Sequence, residues 1–170
     1  MARISYPNTR NPAIAPLVER IERERGKVAN LYKMLLHSPP VAEGWLAFLT
    51  AIRQKCNLSG RDRELVIMRI AVINGADYEF RAHVPFALKE GITQEQINAL
   101  RDGRLDVFDA RSRDVLAYCE SMTREIHVPN AVFQAIHPHF NERELVELTA
   151  TIAAYNLVSR FLEALQIDHD

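Results

Sequence analysis

Apolar residues along the chain recur three and four positions apart, the period of helices that bury one face. Ile14, Leu17, Val18 and Ile21 make one stripe opposite Glu19, Arg20 and the charged run 22–25, and Gly26 stops it. A short helix over about 28–37 follows, with Leu31, Met34 and Leu35 inward. Ser38, with Pro39 and Pro40 in the first turn, opens a third helix carrying Val41, Trp45, Leu46, Phe48, Leu49 and Ile52. Ser59 with Asp62 three residues on forms a capping box in which Asp stands for the usual Glu. The helix it starts is apolar almost all round: Leu65, Val66, Ile67, Met68, Ile70, Ala71, Val72 and Ile73. That pattern predicts a central, buried helix. Only Arg69 interrupts it, and a buried guanidinium needs an anionic partner.

Asn74-Gly75 reads as a helix stop and tight turn. The stretch after it, up to Gly91, is helical in pattern, but Pro85 lies inside it and predicts a kink or a late start. Thr93 with Gln96 caps a short helix through Leu100, and Asp102-Gly103 is a turn. A helix over 110–126 carries Val115, Leu116, Cys119 and Met122 on one stripe. Pro129 starts another over about 130–137. Asn141 with Glu144 caps the longest, over about 142–166, with Leu145, Leu148, Ile152, Tyr155, Leu157, Val158, Phe161 and Leu165 as its apolar set. No segment has a period of two. The pattern predicts an all-α bundle of antiparallel helices, one domain over 1–170, with 1–11 an irregular arm that is frayed or docked on a neighbour.

Composition narrows the function classes. A net charge of −1 gives no footprint for nucleic acid or an anionic membrane. No apolar run approaches the roughly 20 residues that span a bilayer. The first residues lack the apolar core of a secretory signal, and the isolated Cys56 and Cys119 suit a reducing cytoplasm without a disulfide.

Three ionisable groups stand out within 59–91: Glu64, Glu79 and His83. Glu79 and His83 are four apart and share a helix face, and an antiparallel packing across Asn74-Gly75 brings Glu64 to them. Taken singly, Glu64 complements a helix dipole and Glu79–His83 is a surface pair. Their setting among Tyr78, Phe80, Ala82, Val84 and Phe86, beside the most buried helix, favours a site. A histidine beside carboxylates in a semi-apolar cleft is expected to titrate near neutrality, which suits acid–base work. Arg81 reads as a solvated helix arginine, and Tyr155 and Asn156 as polar groups satisfying buried backbone or a subunit contact. His137-Pro-His139 lacks a third ligand, so no metal is expected there. His37, His127 and His169 read as surface or cap residues.

The run Asn74-Gly-Ala-Asp-Tyr-Glu-Phe-Arg-Ala-His-Val-Pro-Phe-Ala-Leu-Lys-Glu-Gly-Ile-Thr93 resembles the core motif of the carboxymuconolactone decarboxylase family, whose superfamily includes alkylhydroperoxidase D. The likeness extends more loosely to Asn30-Leu-Tyr, Ser38-Pro-Pro and Tyr155-Asn-Leu-Val-Ser-Arg160, and spans about 28–165. It implies an alkylhydroperoxidase D-like helical bundle. It also implies cofactor-free proton transfer on a small carboxylated or lactone-like substrate, with no metal, in a homo-oligomer (dimer, trimer or hexamer). His83 is then the acid/base, tuned by Glu79 or Glu64. Tyr78 donates a hydrogen bond to substrate, Arg160 or Arg81 holds a substrate carboxylate, and Tyr155 binds substrate. The stretch 155–161 and the N-terminal arm are the expected subunit contacts. In the peroxidase branch, Glu…Cys-x-x-Cys-x-x-x-His places cysteines where this chain has Ala76 and Glu79. Dithiol chemistry has no attacker and no resolving thiol there. The alternatives are an antioxidant protein using an isolated cysteine and a non-catalytic oligomer that binds a small ligand.

Overall fold

The computed structural model describes residues 1–170, which form nine α-helices and no strand. They divide into two compact units: Met1–Lys55 with Leu162–Asp170, and Cys56–Phe161.

The first unit holds α1 (Ala15–Arg25), α2 (Asn30–Leu35) and α3 (Pro39–Gln54). Gly26, at φ 81°, closes α1 in the left-handed conformation that glycine adopts without strain. Ile21, Leu35, Ala42 and Leu46 are buried, and Arg25 ties the helices together. Its guanidinium donates to the Thr50 hydroxyl (2.8 Å) and the Tyr32 oxygen (3.0 Å). The arm is tied to residues of its own chain. The Arg3 amide donates to the Leu165 carbonyl (2.9 Å), and the Tyr6 hydroxyl donates to the Asp168 carboxylate (3.2 Å).

In the second unit, α4 (Gly60–Asn74) packs against α5 (Asp77–Lys89), α6 (Gln94–Asp102) and α7 (Ala110–Arg124); α8 (Asn130–Ile136) and α9 (Glu142–Leu165), which belongs to this unit through Phe161, follow. The apolar run of α4 is buried as its pattern requires, with Leu65, Val66, Ile67 and Met68 fully enclosed. The Ser59 oxygen accepts from the Asp62 amide (3.0 Å), and the Asp62 carboxylate receives two bonds from Arg111 (2.7 and 2.8 Å). Arg69 finds its anion in Glu120 (2.8 Å) and also donates to the Leu100 carbonyl (3.0 Å). Gly75, at φ 68°, reverses the chain. Glu90 then lies beside Gly60, and His83 beside Glu64, so α4 and α5 run antiparallel.

Pro85 does not delay α5, which starts at Asp77 and runs through it. Proline removes the amide that would bond the Arg81 carbonyl. Both Arg81 and Pro85 are exposed, where water can serve that carbonyl. Helix α7 stops at Arg124, short of 126, and Ile126 follows at φ 68°. Leu145, Leu148, Ile152, Tyr155 and Val158 of α9 are buried, whereas Val146 and Leu157 face outward. Asn156 takes the structural role that its place on an apolar helix suggests. It accepts from Asn74 (3.1 Å) and donates to Thr123 (3.0 Å), joining α9 to the ends of α4 and α7.

Candidate functional site

Glu64 enters from the first turns of α4, and Glu79 and His83 from successive turns of α5. All three are buried, at 1%, 5% and 3% exposure. His83 sits between the carboxylates: Nδ1 is 2.6 Å from Glu64 Oε2, and Nε2 is 2.9 Å from Glu79 Oε1. The other Glu64 oxygen accepts from Arg63 Nε (3.2 Å), and Arg63 reaches Glu90 on the far end of α5 (3.7 Å). The ring is walled by aromatics. Tyr155 stands edge-on at 5.3 Å, and Phe86, one turn along α5 and half-exposed, tilts over it at 5.6 Å.

These contacts move the histidine away from neutrality. Burial lowers its pKa, but the Glu79 charge, the hydrogen bonds to Glu64 and Glu79 and the Glu64 charge outweigh it and raise the value from 6.5 to about 9. At neutral pH the ring is therefore an imidazolium clamped on both nitrogens. It is a proton donor and a fixed cation, and it is a base only after it has given a proton up.

Glu64, Glu79, His83 and Tyr155 are thus gathered at one point. Tyr78 is buried in the same turn of α5 as Glu79. Arg160 is held elsewhere: its Nη1 donates to the Asn156 carbonyl (3.2 Å) and side-chain oxygen (2.9 Å), one turn back on its own helix. Arg81 is exposed and paired with Asp77 (2.6 Å). Neither cysteine is an activated thiol. Burial pushes Cys119 up to about 12, and burial with the charge of Glu147 also raises Cys56. His139 is bonded to Asp114 (2.8 Å), and the His137 ring lies by Phe133 (5.7 Å).

Phe86 was legible as part of the apolar setting of the pair, but Arg63 and Glu90 were not legible as parts of the site. The one signal for Glu90 was spacing: it follows His83 by seven, which places it on the same face of α5.

The model of the Carboxymuconolactone decarboxylase family matches residues 39–121, a span that holds all of α4 and α5. Residues 39–121 belong to this family. No curated protein matches the chain. Among solved structures, an uncharacterized peroxidase-related protein from Silicibacter sp. TM1040 superposes with a TM-score of 0.85 at 19% identity, over 99% of this chain and 92% of that one. The alkylhydroperoxidase AhpD core of a peroxidase-related protein from Ralstonia eutropha JMP134 gives the same figures, 0.85, 19%, 99% and 92%. A cysteine-to-alanine variant of the debrominase Bmp8, in complex with 2,3,4-tribromopyrrole, gives 0.81 at 16% identity, over 100% of this chain and 94% of that one. At these identities the structures show the fold, which is the all-helical alkylhydroperoxidase D-like fold. The matched span 39–121 contains His83, Glu64 and Glu79. No helix is long and apolar enough to cross a membrane.

Proposed function

We propose that the protein is a cofactor-free acid–base enzyme that acts on a small lactone-like or carboxylated substrate by decarboxylation or a related lyase, isomerase or hydrolase step. One observation carries this reading: a buried imidazole with a carboxylate on each nitrogen, at 2.6 and 2.9 Å. Loss of carbon dioxide, or removal of a proton, next to a conjugated carbonyl leaves electrons on an enolate that must be neutralised and then protonated. A preformed imidazolium supplies the fixed positive charge, and its proton passes to the anion by way of a carboxylate bonded to the ring. Glu64 and Glu79 reload it and hold its ring plane. The antioxidant alternative is weakened because Ala76 and Glu79 stand where thiols are required and both cysteines are held as thiols.

Turnover of a lactone and carboxylic-acid panel, with parallel monitoring of deuterium exchange into substrate, tests the reading. His83→Ala is expected to lose about 10²–10⁴-fold in rate with its helicity intact. Rates within a few-fold of wild type would remove His83 from the chemistry, and loss of turnover in Cys56→Ser/Cys119→Ser would transfer it to a thiol. Binding of panel members without turnover would favour a non-catalytic ligand-binding role.

We also infer a homo-oligomer located in the cytoplasm. The exposed Val146 and Leu157 on α9 and the free cysteines Cys56 and Cys119 support these two statements respectively. A monomeric mass in sedimentation at micromolar concentration would refute the oligomer.

A further inference from the structure

Asn156 does more than join helices. A side-chain amide offers two lone pairs and two N–H donors, and here all four are used. Oδ1 accepts from Asn74 Nδ2 (3.1 Å) and from Arg160 Nη1 (2.9 Å). Nδ2 donates to the Thr123 hydroxyl oxygen (3.0 Å) and to the Ile152 carbonyl (3.0 Å). A guanidinium only donates, so Arg160 fixes which end of the amide is the oxygen. Asn74 donates a second time to the Ser159 hydroxyl oxygen (2.7 Å), so the end of α4 grips α9 at two residues. Asn156, Ser159 and Thr123 are all buried. A buried polar network with every member bonded specifies one arrangement of its helices, because a slide or rotation leaves donors unpaired.

That arrangement reaches His83 through the preceding residue. The Tyr155 ring lies perpendicular to the imidazole, at 89° with centroids 5.3 Å apart. Glu64 and Glu79 hold the imidazole by its two nitrogens, and those bonds lie along the ring plane. They restrain sliding better than tilting, so tilting is limited by the side chains packed on the ring. Two aromatic rings do this: Phe86, half-exposed on the same helix, and Tyr155, enclosed on α9. A slip of α9 by one residue, about 1.5 Å along its axis and about 100° around it, would carry Tyr155 off the imidazole. Asn74, which blocks that slip, is the last residue of α4 before the Gly75 reversal into α5. The α9 helix is therefore keyed to the same corner from which Glu79 and His83 project.

We infer that Asn156 is a positioning residue of the His83 site: bonded to Asn74 and Thr123, it sets the register of α9 that keeps the Tyr155 ring against the imidazole. Its consequence for turnover rests on the acid–base reading, in which a displaced proton donor is a slow one. The geometry itself can be tested without turnover.

NMR of protein labelled on histidine and tyrosine reads it, through nuclear Overhauser cross-peaks between the His83 and Tyr155 rings and the shifts of the carbon-bound imidazole protons. Wild type should show the cross-peaks. Asn74→Ala removes the grip from α4, yet Asn156 Oδ1 keeps Arg160 and the Ser159 hydroxyl keeps the Asn156 carbonyl, so the fold survives. Its cross-peaks should be at least about twofold weaker and its imidazole protons shifted. Asn156→Leu, similar in volume, breaks both bonds to other helices and should abolish the cross-peaks; if it does not fold, Asn74→Ala decides alone. Glu120→Ala breaks the Arg69 pair instead, and should leave both readouts at their wild-type values despite its cost in stability. Absence of the cross-peaks in wild type overturns the inference. So do readouts unchanged in Asn74→Ala, or changed as much in Glu120→Ala. Full turnover in His83→Ala alongside the expected cross-peak losses would remove the acid–base reading and leave the positioning of Tyr155 standing.

Discussion

The clamped imidazolium makes the stability of the fold depend on alkaline pH in a way that can be calculated. In the unfolded chain a histidine holds its proton with an ordinary pKa of 6.5, and in the folded protein His83 holds it to about 9. The folded state therefore binds this proton more tightly, and the proton stabilises it. The difference between 6.5 and about 9, at about 1.4 kcal/mol per unit, is worth about 3 kcal/mol. That stability is fully present below pH 6.5, declines from there upward, and is gone once the pH has risen through 9. Urea unfolding at steps from pH 6.5 to 10 measures it, with His83→Gln as the reference that subtracts the titration of every other group. Wild type should lose about 2–3 kcal/mol relative to the variant between pH 7 and 10. A direct NMR titration of His83 covers the case in which the variant, left with two facing carboxylates, does not fold. Glu79→Gln should lower the value seen there, because the Glu79 charge is the largest contribution that raises it. Parallel stability curves for wild type and variant, or an imidazole that titrates near 6.5, would refute the reasoning.

Three further outcomes follow from packing. Ile126 is a β-branched residue at φ 68° and fully in solvent, so Ile126→Asn should stabilise by about 1 kcal/mol, read as a higher urea midpoint at unchanged slope; no rise would mean the turn is unstrained. A Cβ on Gly60 would fall on the end of the flexible Glu90 side chain, which can swing aside, so Gly60→Ala should change stability by less than about 1 kcal/mol; a larger loss that disappears in a Glu90→Ala background would show that Glu90 is held rigidly. Glu120→Ala strands the buried Arg69 and should cost about 3 kcal/mol, whereas adding Arg69→Met should recover part of it; a larger loss in the double variant would contradict the ion-pair account.

The helices were legible because their punctuation is local. Asn74-Gly75, the Ser59 and Thr93 caps and the unbroken run from Leu65 each act within a few residues. So did the pairing of Glu79 with His83. The arrival of Glu64 depended on one assumption, that α4 and α5 fold back antiparallel, and that held. What pattern could not give was occupancy. Glu64 reaches the second ring nitrogen from 19 positions away, and only the packed structure shows both nitrogens filled, which moves the histidine from a near-neutral base to an imidazolium. The partner of Arg160 was hidden for the same reason. A partner four residues back, Asn156, was available to it, and a motif match does not say which acceptor a guanidinium takes. Of the two outcomes expected from Pro85, the late start does not occur: the lost hydrogen bond falls on the solvent side of α5, where its cost is small.

The contrast between α4 and α5 has a consequence for breathing. Amide hydrogens in the enclosed stretch from Leu65 to Ile70 have no path to solvent short of unfolding their whole unit, so they should be the slowest to exchange for deuterium. The α5 helix has a wet face and lacks one rung of its ladder at Pro85. A backbone opening beside His83 should then move α5 rather than α4. Glu64 would stay with the anchored wall while Glu79 and His83 leave with the moving one, and such an excursion would break the 2.6 Å bond across them.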